Sequence, residues 1–214
     1  MTDIDVKICG LTTAEAVETA AKHGASHAGF VFFDPSPRNV RPRDISAIAK
    51  AAPKGMKRVG IFVDPDESLL ERAIAAGRLT VLQFHGSETP EKLKAIRARH
   101  GVDIWKAIPV SGASDLERAK RYEGVADRIL FDARMPKASR LPGGMGIAFD
   151  WKLLKSYKHR MPWGLSGGLT VDNIAEAIDI TGASLVDISS GVESEPGIKD
   201  VAKIAAFLDA VKQL

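Results

Sequence analysis

Short apolar runs alternate along the chain with longer amphipathic ones. Runs rich in Val, Ile, Leu and Phe fall at residues 5–9, 27–33, 58–63, 80–84, 103–108, 127–131, 163–166 and 184–189. Each has strand length and is bounded by turn-forming residues. Helix-like stretches with their own start signals lie between them. Thr12-Thr13-Ala14-Glu15 and Ser114-Asp115-Leu116-Glu117 fit a capping box, in which hydroxyl and glutamate reciprocally satisfy orphan amides. Thr89-Pro90 offers a cap residue followed by proline at the first helical position. Val201, Ile204, Ala205, Leu208 and Val211 recur at the spacing of one buried helix face. Strands alternating with helices build parallel βαβ units. Eight units in 214 residues predict an α/β fold, a closed (β/α)8 TIM barrel; an open doubly wound sheet is the alternative. No linker or shift in composition divides the chain, so 1–214 is expected to form a single barrel domain. Residues 34–43 and 133–147 are rich in Pro, Gly and Arg and predict βα loops, which build the active-site face of a barrel.

Side-chain parity then selects candidates. Successive strand residues point to opposite faces, and in a barrel one parity meets the helices while the other lines the interior. Val6 and Ile8 suit the helix side, which turns Lys7 and Cys9 inward. Leu82 and Phe84 do the same for Gln83 and His85. Ile129 and Phe131 leave Asp132 at the end of the inward series, and Val186 and Ile188 leave Asp187 inside. Four strands thus bring this polarity towards one mouth, as expected where a barrel lines a site. His85 is the histidine that composition alone singles out, since imidazole titrates near neutrality.

Glycine-rich turns follow the last three strands: Gly143-Gly144-Met145-Gly146, Ser166-Gly167-Gly168 and Ser189-Ser190-Gly191, with Gly197 close behind. Glycines let backbone amides approach an anion, and barrels place phosphate at the loops after strands seven and eight. Turns and helix ends also use Gly-Gly, so the weight lies in three such turns in succession.

Composition narrows the classes. With 30 Lys+Arg and 27 Asp+Glu the net charge is only +3, at a pI near 9.0. Basic and acidic residues are interleaved, which gives no stripe for nucleic acid. One cysteine excludes an internal disulfide framework. The N-terminal residues lack a signal-peptide pattern, and no apolar run approaches the ~18 residues of a membrane span. A cytoplasmic protein with a reduced thiol and no membrane partner is expected. No His/Cys/Asp cluster has metal spacing.

The ordered motifs add specificity. Lys7-Ile8-Cys9-Gly10, Pro35-Ser36-Pro37-Arg38, Leu82-Gln83-Phe84-His85-Gly86, Phe131-Asp132-Ala133, Pro142–Gly146 with Phe149-Asp150-Trp151, Ser166-Gly167-Gly168-Leu169 and Asp187–Glu193 occur in this order. Together they resemble the N-(5'-phosphoribosyl)anthranilate isomerase family of tryptophan biosynthesis, over about Lys7 to Asp200. The resemblance implies a phosphosugar-binding barrel with no metal and no organic cofactor. It implies an Amadori rearrangement, an aldose–ketose isomerisation by general acid–base catalysis. It assigns Cys9 as general base and Asp132 as general acid. Arg38 would meet the anthranilate carboxylate, and Asp187 would lie beside the ribose and bridging amine. Gly144, Gly146, Gly167, Gly168, Ser190 and Gly191 would lie in the phosphate loops. Lys7, Gln83 and His85 are expected to line the pocket. Asn39 stands where the family commonly has histidine, and Met145 where it has a small or polar residue.

The proposed chemistry sets electrostatic expectations. An acid at Asp132 must start protonated, so its pKa should lie above the ordinary ~3.9, raised by burial and by Asp187. Lys7 could favour the Cys9 thiolate. Plainer roles exist for each: Cys9 as a buried small hydrophobe, Asp132 as a cap, Arg38 as a solvated cation, Asp187 as an ion-pair partner of Lys7. Another phosphosugar-processing barrel enzyme is the nearest competing reading. A Schiff-base aldolase would need a lysine at a strand end, for which Lys106 is a candidate besides Lys7. A non-catalytic phosphosugar-binding regulator is the reading from a different class. Monomer and homodimer both suit such a barrel.

Overall fold

The computed structural model describes residues 4–133 and 149–214. Among them, eight parallel strands close a barrel in sequence order: β1 (Asp5–Cys9), β2 (His27–Phe32), β3 (Lys57–Phe62), β4 (Val81–Phe84), β5 (Asp103–Val110), β6 (Arg128–Ala133), β7 (Trp163–Ser166) and β8 (Leu185–Ile188). The expected strands are recovered within one or two residues at each end. The helices are α1 (Ala14–Lys22), α2 (Pro42–Ala49), α3 (Glu67–Gly77), α4 (Pro90–His100), α5 (Ala113–Leu116), α6 (Lys152–Ser156), α7 (Ile174–Thr181) and α8 (Val201–Val211). A hairpin of β9 (Glu193–Glu195) and β10 (Ile198–Lys199) lies between β8 and α8. Among the described residues no helix is long and apolar enough to cross a membrane.

Local chemistry explains most helix starts. Thr89 accepts from the Lys92 amide with Pro90 at the first turn, as its sequence predicts. The α1 cap is Thr13, which accepts from the Ala16 amide, one residue beyond the cap of the predicted box. The Ser114 box does not form. Asp115 instead turns back to accept from the Ser111 amide and hydroxyl at 2.9 Å each, so its carboxylate closes the turn that a serine cap would have opened.

Two apolar regions share the strands. Val6, Ile8, Leu82, Phe84, Ile129, Phe131, Val186 and Ile188 pack outward against the helices. Val31, Val59, Ile61, Val81, Trp105, Ala107, Leu130 and Leu185 fill the barrel. The predicted parity therefore holds. Below the interior core, His27 and Arg128 pack on Trp105, with 5.1 Å between the His27 and Trp105 rings. Burial lowers the His27 pKa to about 4, so it sits there neutral.

Lys106 has the opposite parity to Trp105 and Ala107 and leaves the barrel. Its ammonium donates to the Phe84 and Gly86 carbonyls and to Glu88 Oε2, at 3.2, 2.8 and 3.0 Å. Glu88 Oε1 accepts from the amides of Asp64 and Gly86, and the Tyr122 hydroxyl donates to the Glu88 carbonyl. Both side chains are buried. The lysine is a clamp between β5 and the loop after β4, which removes it as a Schiff-base candidate. Breaking a buried pair strands the remaining charge. Glu88→Ala should therefore cost about 3–5 kcal/mol by urea denaturation, and Lys106→Met in that background should recover part of the loss.

Candidate active site

β1 is both first and last neighbour in the closed sheet, pairing with β2 and β8. Register sets Lys7 opposite Asp187, and the ammonium donates to both carboxylate oxygens at 2.9 and 2.8 Å. The pair is fully enclosed, at 0% and 4% side-chain exposure. A Cβ at Gly29 of β2 would lie 3.0 Å from Lys7 Cε, so the glycine leaves room for a lysine inside the barrel. Burial alone would lower the Lys7 pKa, but Asp187 and the Cys9 sulfur raise it, and it stays charged.

Cys9 ends β1 beside this ammonium. Burial pushes its thiol above the ordinary range, and Lys7 and Lys199 pull against that without reversing it. Lys7 favours the thiolate, as expected, yet desolvation wins. Asp132 is register partner of Pro109 on β5, near the end of β6. Burial, then the like charge of Asp187, raises its carboxyl to about 7, against opposing hydrogen bonds from the Ala133 amide and the Ser166 hydroxyl. This is the direction and cause expected from the sequence. Gly167 adopts φ +88°, and a Cβ there would lie 2.5 Å from the Ala133 nitrogen and 2.8 Å from Asp132 Oδ1, so the turn after β7 packs against the acid.

Gln83 and His85 are brought together, with a Gln83 amide N–H facing His85 Nε2. Burial, then Lys7 and Lys106, lowers the His85 pKa to about 3, so the ring is a neutral acceptor rather than a neutral-pH switch. The Gln83 carboxamide oxygen is buried and has no hydrogen-bond partner among the described residues.

Arg38 is buried, and its stem lies across Gly10, the residue after Cys9. Its Nε and Nη2 donate to the two oxygens of Glu193 at 2.7 Å each. Asn39 closes the loop that carries it: Oδ1 accepts from the Phe33 amide at 2.9 Å, and Nδ2 donates to Asp34 at 2.8 Å. Gly168 accepts from the Asn173 side chain, and Gly191 is backed against the Leu169 carbonyl, so the loops after β7 and β8 abut. Gly167, Gly168, Ser190 and Gly191 are gathered there. Gly144, Gly146 and Met145 lie outside the described residues. Gly197 is not part of this cradle; it turns the β9–β10 hairpin against the Pro37 carbonyl. Among the described residues, no group of three or more His, Cys, Asp or Glu side chains is placed to hold a metal ion.

An acid kept protonated near neutrality, a thiol beside a cation and a glycine-lined cradle thus share one mouth. A family model described as N-(5'phosphoribosyl)anthranilate (PRA) isomerase matches residues 6–210. The chain belongs to the phosphoribosylanthranilate isomerase family. It is 54% identical over 212 residues to the N-(5'-phosphoribosyl)anthranilate isomerase of Zymomonas mobilis subsp. mobilis, covering 99% of each chain. It is similar to the phosphoribosyl anthranilate isomerase structure from Thermotoga maritima, at TM-score 0.88, 36% identity, and 99% and 100% coverage of the two chains. A further phosphoribosyl anthranilate isomerase structure, at TM-score 0.85, 35% identity, and 99% and 100% coverage, holds reduced 1-(o-carboxyphenylamino)-1-deoxyribulose 5-phosphate.

In this family member side-chain parity marks the strand residues of the site, whereas it marks none of Glu193, Lys199, Ser189 and Ser166. Ser166 sits at a strand end inside a motif read only for its glycines. Glu193 and Lys199 belong to a short hairpin, where no core-facing alternation marks an inward side.

The raised Asp132 pKa has a cost in stability. Between its unfolded value near 3.8 and its folded value near 7, the native state holds a proton that the unfolded chain releases. Stability from this group therefore falls as pH rises through that window, by about 4 kcal/mol in all. Asp132→Asn removes the dependence. Its stability relative to the parent should rise by roughly 2–3 kcal/mol between about pH 5 and pH 8, measured by chemical denaturation.

Proposed function

We propose that Cys9 and Asp132 are the general base and general acid of the family's reaction in this chain. The chain is a phosphoribosylanthranilate isomerase of tryptophan biosynthesis. It converts N-(5'-phosphoribosyl)anthranilate to 1-(2-carboxyphenylamino)-1-deoxyribulose 5-phosphate by an Amadori rearrangement. Asp132 gives its proton to the furanose ring oxygen, and the C1'–O bond breaks as the anilino nitrogen forms the Schiff base. The Cys9 thiolate removes the C2' proton, and the electron pair passes into the C1'=N system to give the enolamine. Tautomerisation of the enolamine delivers the ketone. Each well-placed acid or base contributes about 10²–10⁴-fold to such a step.

The observation that carries this reading is the Asp132 carboxyl, held protonated up to about pH 7 by burial and by Asp187, whose ion-pair partner Lys7 also neighbours the Cys9 thiol. Arg38 meets the anthranilate carboxylate in this reading. The phosphate sits at Gly167, Gly168, Ser190 and Gly191, and Gly144 and Gly146 are assigned to it on the family resemblance alone. Lys7 and Asp187 flank the ribose, while Gln83 and His85 line the wall. The buried Gln83 oxygen supports a hydrogen bond to a substrate hydroxyl or amine.

Loss of the anthranilate-type fluorescence of phosphoribosylanthranilate on adding the protein tests the activity directly. Cys9→Ala and Asp132→Asn should each lower kcat by about 10²–10⁴-fold with little change in substrate binding; near-normal turnover removes that residue's role. Arg38→Ala should raise KM for the carboxylated substrate, and unchanged kinetics would make Arg38 a bystander. The reactive form carries protonated Asp132 and ionised Cys9. It is a proton isomer of the form dominant between the two pKa values. kcat/KM should rise with pH up to about 7, level off, and fall only as the thiol titrates. A decline beginning near pH 7 would contradict the assignment.

A further inference from the structure

Glu193 opens β9 and is 8% exposed. Both of its carboxylate oxygens are engaged. The Arg38 fork takes one each, and Lys199 Nζ donates to Oε1 at 2.6 Å. Lys203 Nζ holds the Glu193 carbonyl at 2.8 Å. The hairpin is wedged on the arginine's own loop: Gly197 has φ +88°, and a Cβ there would lie 2.5 Å from the Pro37 carbonyl oxygen. Lys199, 1% exposed, also donates to the Ser189 carbonyl at 2.9 Å and hydroxyl at 3.3 Å. The Ser189 hydroxyl in turn donates to the Cys9 carbonyl at 3.1 Å.

We propose that Glu193 is a positioning residue of the isomerisation. It fixes the Arg38 guanidinium by a two-point fork and, through Lys199 and Ser189, ties that arginine to the strand end that carries Cys9. The inference rests on the reading that Arg38 meets the substrate carboxylate.

A guanidinium gripped at Nε and Nη2 has its plane set. A neutral Arg–Glu pair would attract an incoming carboxylate poorly. Lys199 alters that balance, because the three side chains together keep one net positive charge beside the Cys9 strand end. Burial works against an ionised Glu193, but Arg38 and Lys199 hold its pKa below the usual range, and the fork persists across the working pH.

The experiment compares E193Q, R38A and the R38A/E193Q double variant in steady-state kinetics. A thermal shift with inorganic phosphate reports on the proposed phosphate loops. E193Q should raise KM about 10–100-fold with kcat within about threefold, and the phosphate shift should match the parent's. E193D should recover part of the KM. In the R38A background E193Q should add less than about twofold, because it acts through the missing arginine. An unchanged KM in E193Q, alongside a raised KM in R38A, overturns the inference alone. So do multiplying effects in the double variant, or a parallel loss of the phosphate response. An unchanged KM in R38A overturns the carboxylate reading and the inference with it. If E193Q does not fold, E193Q/K199M removes the stranded buried cation as well, and its KM is judged by the same criteria.

Discussion

The barrel closes where its first strand meets its last, and a buried ion pair lies on that seam. Lys7 and Asp187 are register partners of β1 and β8, enclosed with both carboxylate oxygens bonded to one ammonium. A lone charge of either sign there would carry a desolvation penalty of several kcal/mol. Each therefore obliges the other, and together they require space, which Gly29 leaves open. The same pair sets the field for its neighbours. The carboxylate raises Asp132 and the ammonium tempers the rise in Cys9. One contact thus joins sheet closure to acid–base tuning.

Lys106 and Glu88 show that a buried lysine–carboxylate pair serves another purpose elsewhere in the barrel. They are as deeply buried as Lys7 and Asp187, yet they bond to backbone groups on both sides and face the helices. Every polar atom there has a protein partner. At the mouth, by contrast, Gln83 keeps an unpartnered buried oxygen and Asp132 holds a proton that burial forces upon it. The unpartnered Gln83 oxygen and the raised Asp132 pKa set the mouth apart from the fully bonded Lys106–Glu88 clamp.

Period-2 alternation made the strands legible because eight interior residues and the helix-facing residues are both apolar, so a polar residue on the inward parity stands out. That logic reached Lys7, Cys9, Gln83, Asp132 and Asp187. It failed where alternation carries no burial signal. Glu193 and Lys199 lie in a hairpin of three and two residues, and their significance comes from contacts across more than 150 positions and across a turn. Sequence alone also left open whether Asp187 faces substrate or Lys7; the register supplies the ion pair. The Ser114 capping box failed for a related reason, since Asp115 offered the backbone a competing hydrogen bond.

The arginine loop has a thermodynamic consequence. A free arginine side chain carries about 2 kcal/mol of rotamer entropy that an incoming ligand would have to quench. Here Asn39 closes the backbone into a ring from Phe33 onward, and the side chain is already clamped over Gly10. Its ordering is completed when the protein folds, so association loses less freedom at that end of the pocket. On the proposed carboxylate role of Arg38, a less confined loop of equal charge would bind more weakly, with a larger entropic penalty visible in calorimetry.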